Sequence, residues 1–246
     1  MSRMKFMNTE IDNLTLQETM QAIDQLIQED RSAYVVTPNV DHIVQLETSK
    51  ELQAVYENAS LILTDGKPLL WIARWYGTPI KEKISGSDLF PLLCDMAAKK
   101  GYKMFFLGAA EGVAARAAEN LMNRFNGLQV VGTYSPPFGF EKNPVEMEKI
   151  KSMIKEASPH ILIVGLGCPK QEKFMYNHCK ELRVPVSFGL GASFDFEAGN
   201  IKRAPRWMSN HGLEWLFRIT QDPKRMAKRY LVDDRKILGL AIKYRK

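Results

Sequence analysis

The chain has 246 residues, 45% of them hydrophobic and 25% charged, enough for one large α/β domain with a buried core, or such a domain plus a small appendage. No run approaches the roughly 18–20 apolar residues of a membrane-crossing helix, and the opening MSRMKFMNTEIDN lacks an apolar signal core, which predicts a cytosolic chain that spans nothing. Three cysteines without a C-x-x-C pair (Cys94, Cys168, Cys179) argue against a disulfide framework, and four scattered histidines (His42, His160, His178, His211) argue against a built-in zinc site.

The net charge of +6 is uneven. From Lys202 onward there are 13 basic and 4 acidic residues, a local net of +9, whereas the preceding part carries 21 basic and 24 acidic, a net of −3. A basic tail on an acidic body points to a polyanionic partner surface, or to a solvated helical face.

Periodicity gives the elements in chain order. A helical pattern over Thr15–Gln28 precedes a buried strand at Ala33–Val36, and a long helix over Val40–Asn58 precedes a strand at Leu61–Thr64. Next come helix Asp88–Lys100, strand Lys103–Leu107, helix Val113–Phe125 and strand Gln129–Gly132. Helix Pro144–Glu156, strand Ile161–Val164, helix Lys170–Leu182 and strand Val184–Phe188 complete the alternation. The strands are continuous apolar runs, as expected of strands covered on both faces. The alternation predicts an α/β fold: a mostly parallel sheet with helices on both faces, a Rossmann-like core. After residue 199 no strand is evident. Helical stretches at Trp207–Thr220 and Pro223–Lys243 predict a basic, arginine-rich helical appendage over 200–246 on a core of 1–199.

In such sheets ligands bind beyond the carboxyl ends of the strands, so the loops there are where the chemistry is expected. Asp65 follows the strand Leu61–Thr64 and precedes Gly66. A carboxylate there can take a proton from a hydroxyl, or it can serve a turn or helix cap. Gly108-Ala109-Ala110-Glu111-Gly112 opens a helix, where small residues and free N–H groups suit a diphosphate; it is neither a G-x-G-x-x-G nor a P-loop sequence. Tyr134 follows the next strand. Gly167, Cys168, Pro169, Lys170 and Gln171 lead into the following helix, with Gln171 near its start. In the last core loop Asp195 lies between Phe194 and Phe196, able to accept a ribose or sugar hydroxyl or to cap a helix end. The tail offers Arg203, Arg206, Arg218, Arg225 and Arg229, whose planar forks suit phosphate, interleaved with Trp207, Trp215, Phe217 and Tyr230 as on interfacial helices.

Together these marks resemble the WecG/TagA/CpsF glycosyltransferase family along nearly the whole chain. The strongest are Thr37-Pro38-Asn39, Thr64-Asp65-Gly66, Gly165–Lys173, and Phe194-Asp195-Phe196 followed by Arg203-Ala204-Pro205. The resemblance implies inverting, metal-independent transfer of a sugar, commonly N-acetylmannosamine, from a UDP-sugar to a polyprenyl-diphosphate-linked acceptor in cell-surface polysaccharide or teichoic acid synthesis. It implies Asp65 as catalytic base, Thr37 and Asn39 as sugar contacts and Gln171 in the active site. It further implies that the arginine-rich tail closes over the site and meets an anionic membrane, placing the protein at the inner face of the cell membrane. One departure is Lys83-Ile84-Ser85-Gly86, where the family often has arginine at the first position. Lys83 keeps the charge without the bidentate fork.

The expected working arrangement puts UDP on Gly108, Ala109, Tyr134, Gly167, Lys170 and Asp195. Lys83, Ser85, Arg203, Arg206, Arg218 and Arg225 then serve the substrates. With no Asp-x-Asp motif, helix N-termini and arginines must meet the leaving charge, with neither metal nor cofactor. Another UDP-hexose such as UDP-glucose is the alternative donor, and a nucleotide-dependent oxidoreductase or epimerase a remote alternative. The acidic body and the absence of a known motif argue against nucleic acid. Self-association through an exposed apolar helix face stays open.

Overall fold

The computed structural model describes residues 3–245; the side chains of Arg206, Asn210, Arg225 and Asp233 lie outside the described residues. The elements are, in chain order, β1 (Arg3–Phe6), β2 (Thr9–Asp12), α1 (Leu16–Glu29), β3 (Ala33–Val36), α2 (Val40–Leu46), α3 (Lys50–Glu57), β4 (Leu61–Ile62) and α4 (Lys67–Trp75). They continue with α5 (Gly86–Lys100), β5 (Lys103–Gly108), α6 (Val113–Arg124), β6 (Gln129–Tyr134), α7 (Pro144–Ala157), β7 (Ile161–Gly165), α8 (Lys170–Leu182), β8 (Val186–Gly189) and α9 (Gly191–Glu197). The tail holds α10 (Arg206–Asn210), α11 (Glu214–Gln221), α12 (Pro223–Lys228), a π-helical turn (Arg229–Asp233) and α13 (Lys236–Lys243). The chain divides into two compact units. One draws on residues up to Leu16, on Thr37–Ser85 and on Ile201 onward; the other comprises Gln17–Val36 and Gly86–Asn200.

The second unit is the α/β layer that the alternation predicts. Its strands run in the order β3-β8-β7-β5-β6, and every pairing between them is parallel. From β5 the chain steps outward through α6 to β6, then returns through α7 to β7 on the other side of β5. Right-handed crossovers in opposite directions place α6 and α7 on opposite faces. Consistent with this, α6 packs on α9, and α7 on α8. All residues of β3, β7 and β8 are buried, as their unbroken apolar runs require. The rings of Phe90, Phe106 and Phe194 form the core beneath the carboxyl ends of the strands, with centroids 5.3–5.6 Å apart.

Reversal of direction between β5 and β7 creates the point where such sheets take ligands. There Gly108 pairs with Gly165, and the Ala109 N–H donates to the Gly165 carbonyl at 2.7 Å. Both glycines are sterically required. A Cβ on Gly108 (φ +112°) would lie 2.4 Å from the Gly165 carbonyl oxygen, and one on Gly165 2.4 Å from the Phe194 ring.

The first unit is built around short elements. β1 and β2 form an antiparallel hairpin that the apolar pattern does not announce, because its turn falls at Met7-Asn8, without the glycine such turns favour. The Asp12 carboxylate accepts from the Ile62 N–H at 2.9 Å, tying the hairpin to β4. The expected helix over Val40–Asn58 is two helices. Ser49 breaks it by capping α3, its Oγ accepting from the Leu52 N–H at 3.2 Å. α4, which the Asp65-Gly66 turn signal obscures, starts at Lys67 after the N-cap Gly66, with Pro68 in its first turn. In the tail the two expected helices are four plus the π-turn. α13 packs on α2 through buried Ile237 and Ala241, and the Tyr76 hydroxyl donates to the Ala241 carbonyl at 2.7 Å. Among the described residues no helix is long and apolar enough to cross a membrane.

Candidate active site

In the first unit, three loops distant in sequence are stitched together by backbone hydrogen bonds. The Asp65 N–H donates to the Pro38 carbonyl at 2.8 Å, and the Ile84 N–H donates to the Thr64 carbonyl at 2.8 Å. Thr37, Asn39, Asp65, Lys83 and Ser85 are thereby gathered in one place. Thr37 and Ser85 are buried, and the Lys83 Nζ donates to the Ser85 Oγ at 3.3 Å.

Asp65 does not cap α4. The N-cap is Gly66, in a positive-φ conformation (+107°) and with no side-chain cap bond. The Asp65 carboxyl instead sits half-buried, its pKa pushed up to about 6. Burial is the main cause, and the negative charge of Glu214 adds to it; Lys83, Arg218 and His42 pull the other way. A carboxyl that ionises near 6 is deprotonated at neutral pH yet basic enough to accept a hydroxyl proton, and the surrounding cations can meet developing negative charge. Arg218 is itself held by Glu214 through Nη2 at 2.8 Å and Nε at 3.1 Å.

Asn39 is more occupied than a free sugar contact. Its Oδ1 accepts from the Asp41 N–H at 3.1 Å and the His42 N–H at 3.4 Å, capping α2, and from the Arg229 Nη2 at 3.1 Å.

In the second unit, the loops after β5, β7 and β8 form a second cluster. Gln171, the second residue of α8, is buried against the carboxyl end of β8, so close that a Cβ on Gly189 or Gly191 would fall within 3 Å of its carboxamide. Its Nε2 donates to the Glu172 Oε1 at 2.8 Å, while its Oε1 is buried and has no hydrogen-bond partner among the described residues. Gly167 has φ +76°. Ser135 donates to the carbonyls of Gly108 (3.1 Å) and Ala110 (3.2 Å), holding the Gly108–Gly112 loop in shape.

Other sequence candidates are engaged locally. The Tyr134 hydroxyl bonds Glu146 and accepts from the Lys149 Nζ at 2.7 Å. Lys170 pairs with Glu141 at 2.6 Å and stands over the Phe138 ring. Asp195 accepts from the Asn200 Nδ2 at 3.2 Å and its carbonyl from the Asn200 N–H at 2.9 Å, so it closes the end of α9. Arg203 is exposed. The side chains of Arg206 and Arg225 lie outside the described residues.

The family model described as Glycosyl transferase WecG/TagA/CpsF family matches residues 4–246. The chain belongs to this family. Two relatives carry the name N-acetylglucosaminyldiphosphoundecaprenol N-acetyl-beta-D-mannosaminyltransferase. That of Bacillus spizizenii strain W23 is 32% identical over 202 residues, covering 82% of this chain and 76% of the relative. That of Bacillus subtilis strain 168 is 31% identical over 206 residues, covering 84% and 77%. The chain is thus a glycosyltransferase of the hexosyl-transferring kind.

In this WecG/TagA/CpsF member, sequence reasoning located the loops but missed several of their partners. His42 and Glu214 act on Asp65 through the fold, and neither stands in a recognisable motif. Ser135 shapes the phosphate-type loop from 25–27 residues away, and only its position just after a strand signals it. Arg229, expected among the arginines suited to phosphate, donates instead to Asn39 across 190 residues of sequence.

Proposed function

We propose that this glycosyltransferase moves N-acetylmannosamine from its UDP donor to a polyprenyl-diphosphate-linked N-acetylglucosamine, with inversion and without a metal ion. The observation that carries this reading is Asp65, half-buried among Lys83, Arg218 and His42 with its carboxyl titrating near pH 6. The printed names of the two relatives support the acceptor and the transferred sugar.

Asp65 serves as general base. It removes the proton of the acceptor hydroxyl as that oxygen attacks the anomeric carbon, and UDP leaves from the opposite face. A single displacement of this kind inverts the anomeric centre. Thr37, Asn39, Lys83 and Ser85 serve the sugars and acceptor diphosphate. Gly108, Ala109, Tyr134, Gly167, Lys170 and Asp195 serve the nucleotide, and Gln171, whose Oε1 has no partner among the described residues, accepts from a donor hydroxyl. Arg203, Arg206, Arg218 and Arg225 meet the charge of the diphosphates. The absence of Asp-x-Asp from the sequence supports assigning that task to cations of the chain.

The 200–246 segment acts as a basic appendage to the 1–199 core and docks on the inner face of the membrane, where the lipid-linked acceptor lies. Its local net charge of +9 supports this, as do exposed Trp207, Leu231, Leu238 and Ile242. The test is UDP release by the full chain with UDP-N-acetylmannosamine, UDP-N-acetylglucosamine or UDP-glucose and a lipid-diphosphate-N-acetylglucosamine acceptor. Asp65→Asn lowers turnover by about 10²–10⁴-fold and leaves UDP affinity, measured by calorimetry, unchanged. Near-normal turnover of that variant removes Asp65 from the role of base.

A further inference from the structure

Arg229 opens the π-helical turn between α12 and α13, where the Asp234 N–H reaches back to the Arg229 carbonyl at 2.8 Å. Single π-turns inside helical segments are uncommon and recur at functional sites. The widened turn directs a half-buried guanidinium onto α2. The Nη2 donates to the Asn39 Oδ1 at 3.1 Å and lies 3.6 Å from the Asp41 carboxylate, and the Nε lies 3.9 Å from that of Asp234. Asn39 is one peptide from Pro38, whose carbonyl holds the Asp65 N–H at 2.8 Å. One side-chain bond and one backbone bond thus connect the tail to the loop that carries the carboxyl.

The same tail grips the other end of α2. Lys243 Nζ and the Tyr244 hydroxyl both bond the C-cap residue Glu47, at 2.5 and 3.0 Å. The two grips differ in consequence. The outer one holds α13 to the body. The inner one lies beside the Thr37–Asn39 loop, and α12, which leads into it, packs on α11, the helix carrying Glu214 and Arg218.

We propose that Arg229 is a positioning residue for the transfer: by holding the Asn39 carboxamide it fixes the loops that carry Asp65 and keeps the Glu214–Arg218 turn against that carboxyl. This rests on the transferase reading above. The groups that face Asp65 are Lys83 from the loop before α5, His42 from α2, and Glu214 and Arg218 from α11. Releasing Arg229 frees α11, rehydrates the carboxyl and removes both α11 charges. The carboxyl then titrates closer to its ordinary range, because burial is the largest cause of its elevation.

The experiment compares the full chain with Arg229→Gln, Arg229→Lys and, as a control, Lys50→Gln on the exposed face of α3. UDP release is followed from pH 4.5 to 8, and hydrogen exchange is followed over residues 213–228. Arg229→Gln should lower kcat by about ten- to a hundred-fold, the loss of one charge-assisted bond. It should also move the acid limb of the profile from near pH 6 to lower pH and speed exchange in 213–228. Arg229→Lys keeps the charge toward Asp41 and Asp234 without the fork and should recover part of each effect. An unmoved limb overturns the proposal, whether turnover is normal or falls only in step with a lowered melting temperature. If the wild type releases no UDP with any donor, the transferase reading falls and exchange decides: exchange in 213–228 that is fastest in Arg229→Gln, intermediate in Arg229→Lys and unchanged in Lys50→Gln supports the positioning role, and equal exchange in all variants overturns it.

Discussion

Replacing Asp65 by asparagine should make the protein less active and more stable. The carboxyl ionises near 6 in the folded chain against an ordinary 3.8. Folding therefore favours its protonated form. That preference is satisfied below the unfolded value and is lost progressively as pH rises from about 4 to about 6. Above pH 6 the folded chain carries a desolvated carboxylate, which costs about 3 kcal/mol at 1.36 kcal/mol per pH unit. A neutral carboxamide of the same shape removes that cost. For a chain of this size about 3 kcal/mol corresponds to roughly 6–12 °C in melting temperature. Thermal unfolding of wild type and Asp65→Asn at pH 7.5 and pH 4 should show the variant melting higher by about that amount at pH 7.5 and level with wild type at pH 4. A variant that melts at or below the wild type at pH 7.5 would refute the desolvation on which the assignment of a base depends.

The neighbours of Asp65 should shift its titration in opposite directions. Glu214→Gln removes a charge that raises the carboxyl and should move the acid limb of turnover to lower pH, whereas Lys83→Gln should move it higher; shifts of the same sign would contradict the arrangement. Gly165→Ala places a methyl 2.4 Å from the Phe194 ring and should destabilise by about 1–3 kcal/mol in urea unfolding, with a null result showing that the ring can yield. Neutralising the exposed Lys224, Arg235 and Lys236 together should weaken cosedimentation with anionic vesicles by about a hundredfold, at on the order of 1 kcal/mol per charge. Unchanged cosedimentation would place the membrane contact elsewhere.

Fold class was readable because the strands of a parallel sheet are buried on both faces, and Ile161-Leu162-Ile163-Val164 can hardly be anything else. The short first-unit elements were not. The β1–β2 hairpin lacks a favoured turn pair, and the Asp65-Gly66 signal, which suits a turn as well as a helix cap, did not settle that α4 follows it. Ser49 splits a helical pattern that hydrophobic periodicity alone runs straight through. In the candidate site the loop positions followed from strand ends, since Thr37, Asp65, Gly108 and Gly167 all fall where the chain leaves a strand. The partners that tune them did not. Glu214 and Arg229 come from helices remote in sequence, and no local spacing encodes their meeting with Asp65 and Asn39. Asn39 shows the reverse: the resemblance makes its side chain a sugar contact, and in the fold it is an N-cap already holding two N–H groups and a guanidinium.

The most direct test is the mass of the lipid acceptor itself. Polyprenyl-diphosphate-N-acetylglucosamine is incubated with the full chain, UDP-N-acetylmannosamine and EDTA, and the lipid is then analysed by mass spectrometry and NMR. The account predicts a gain of one N-acetylhexosamine, joined with inverted anomeric configuration and formed at least a hundredfold more slowly by Asp65→Asn, at the low end of what a general base contributes (about 10²). An unchanged lipid, or a product that forms only when divalent metal is restored, would contradict it.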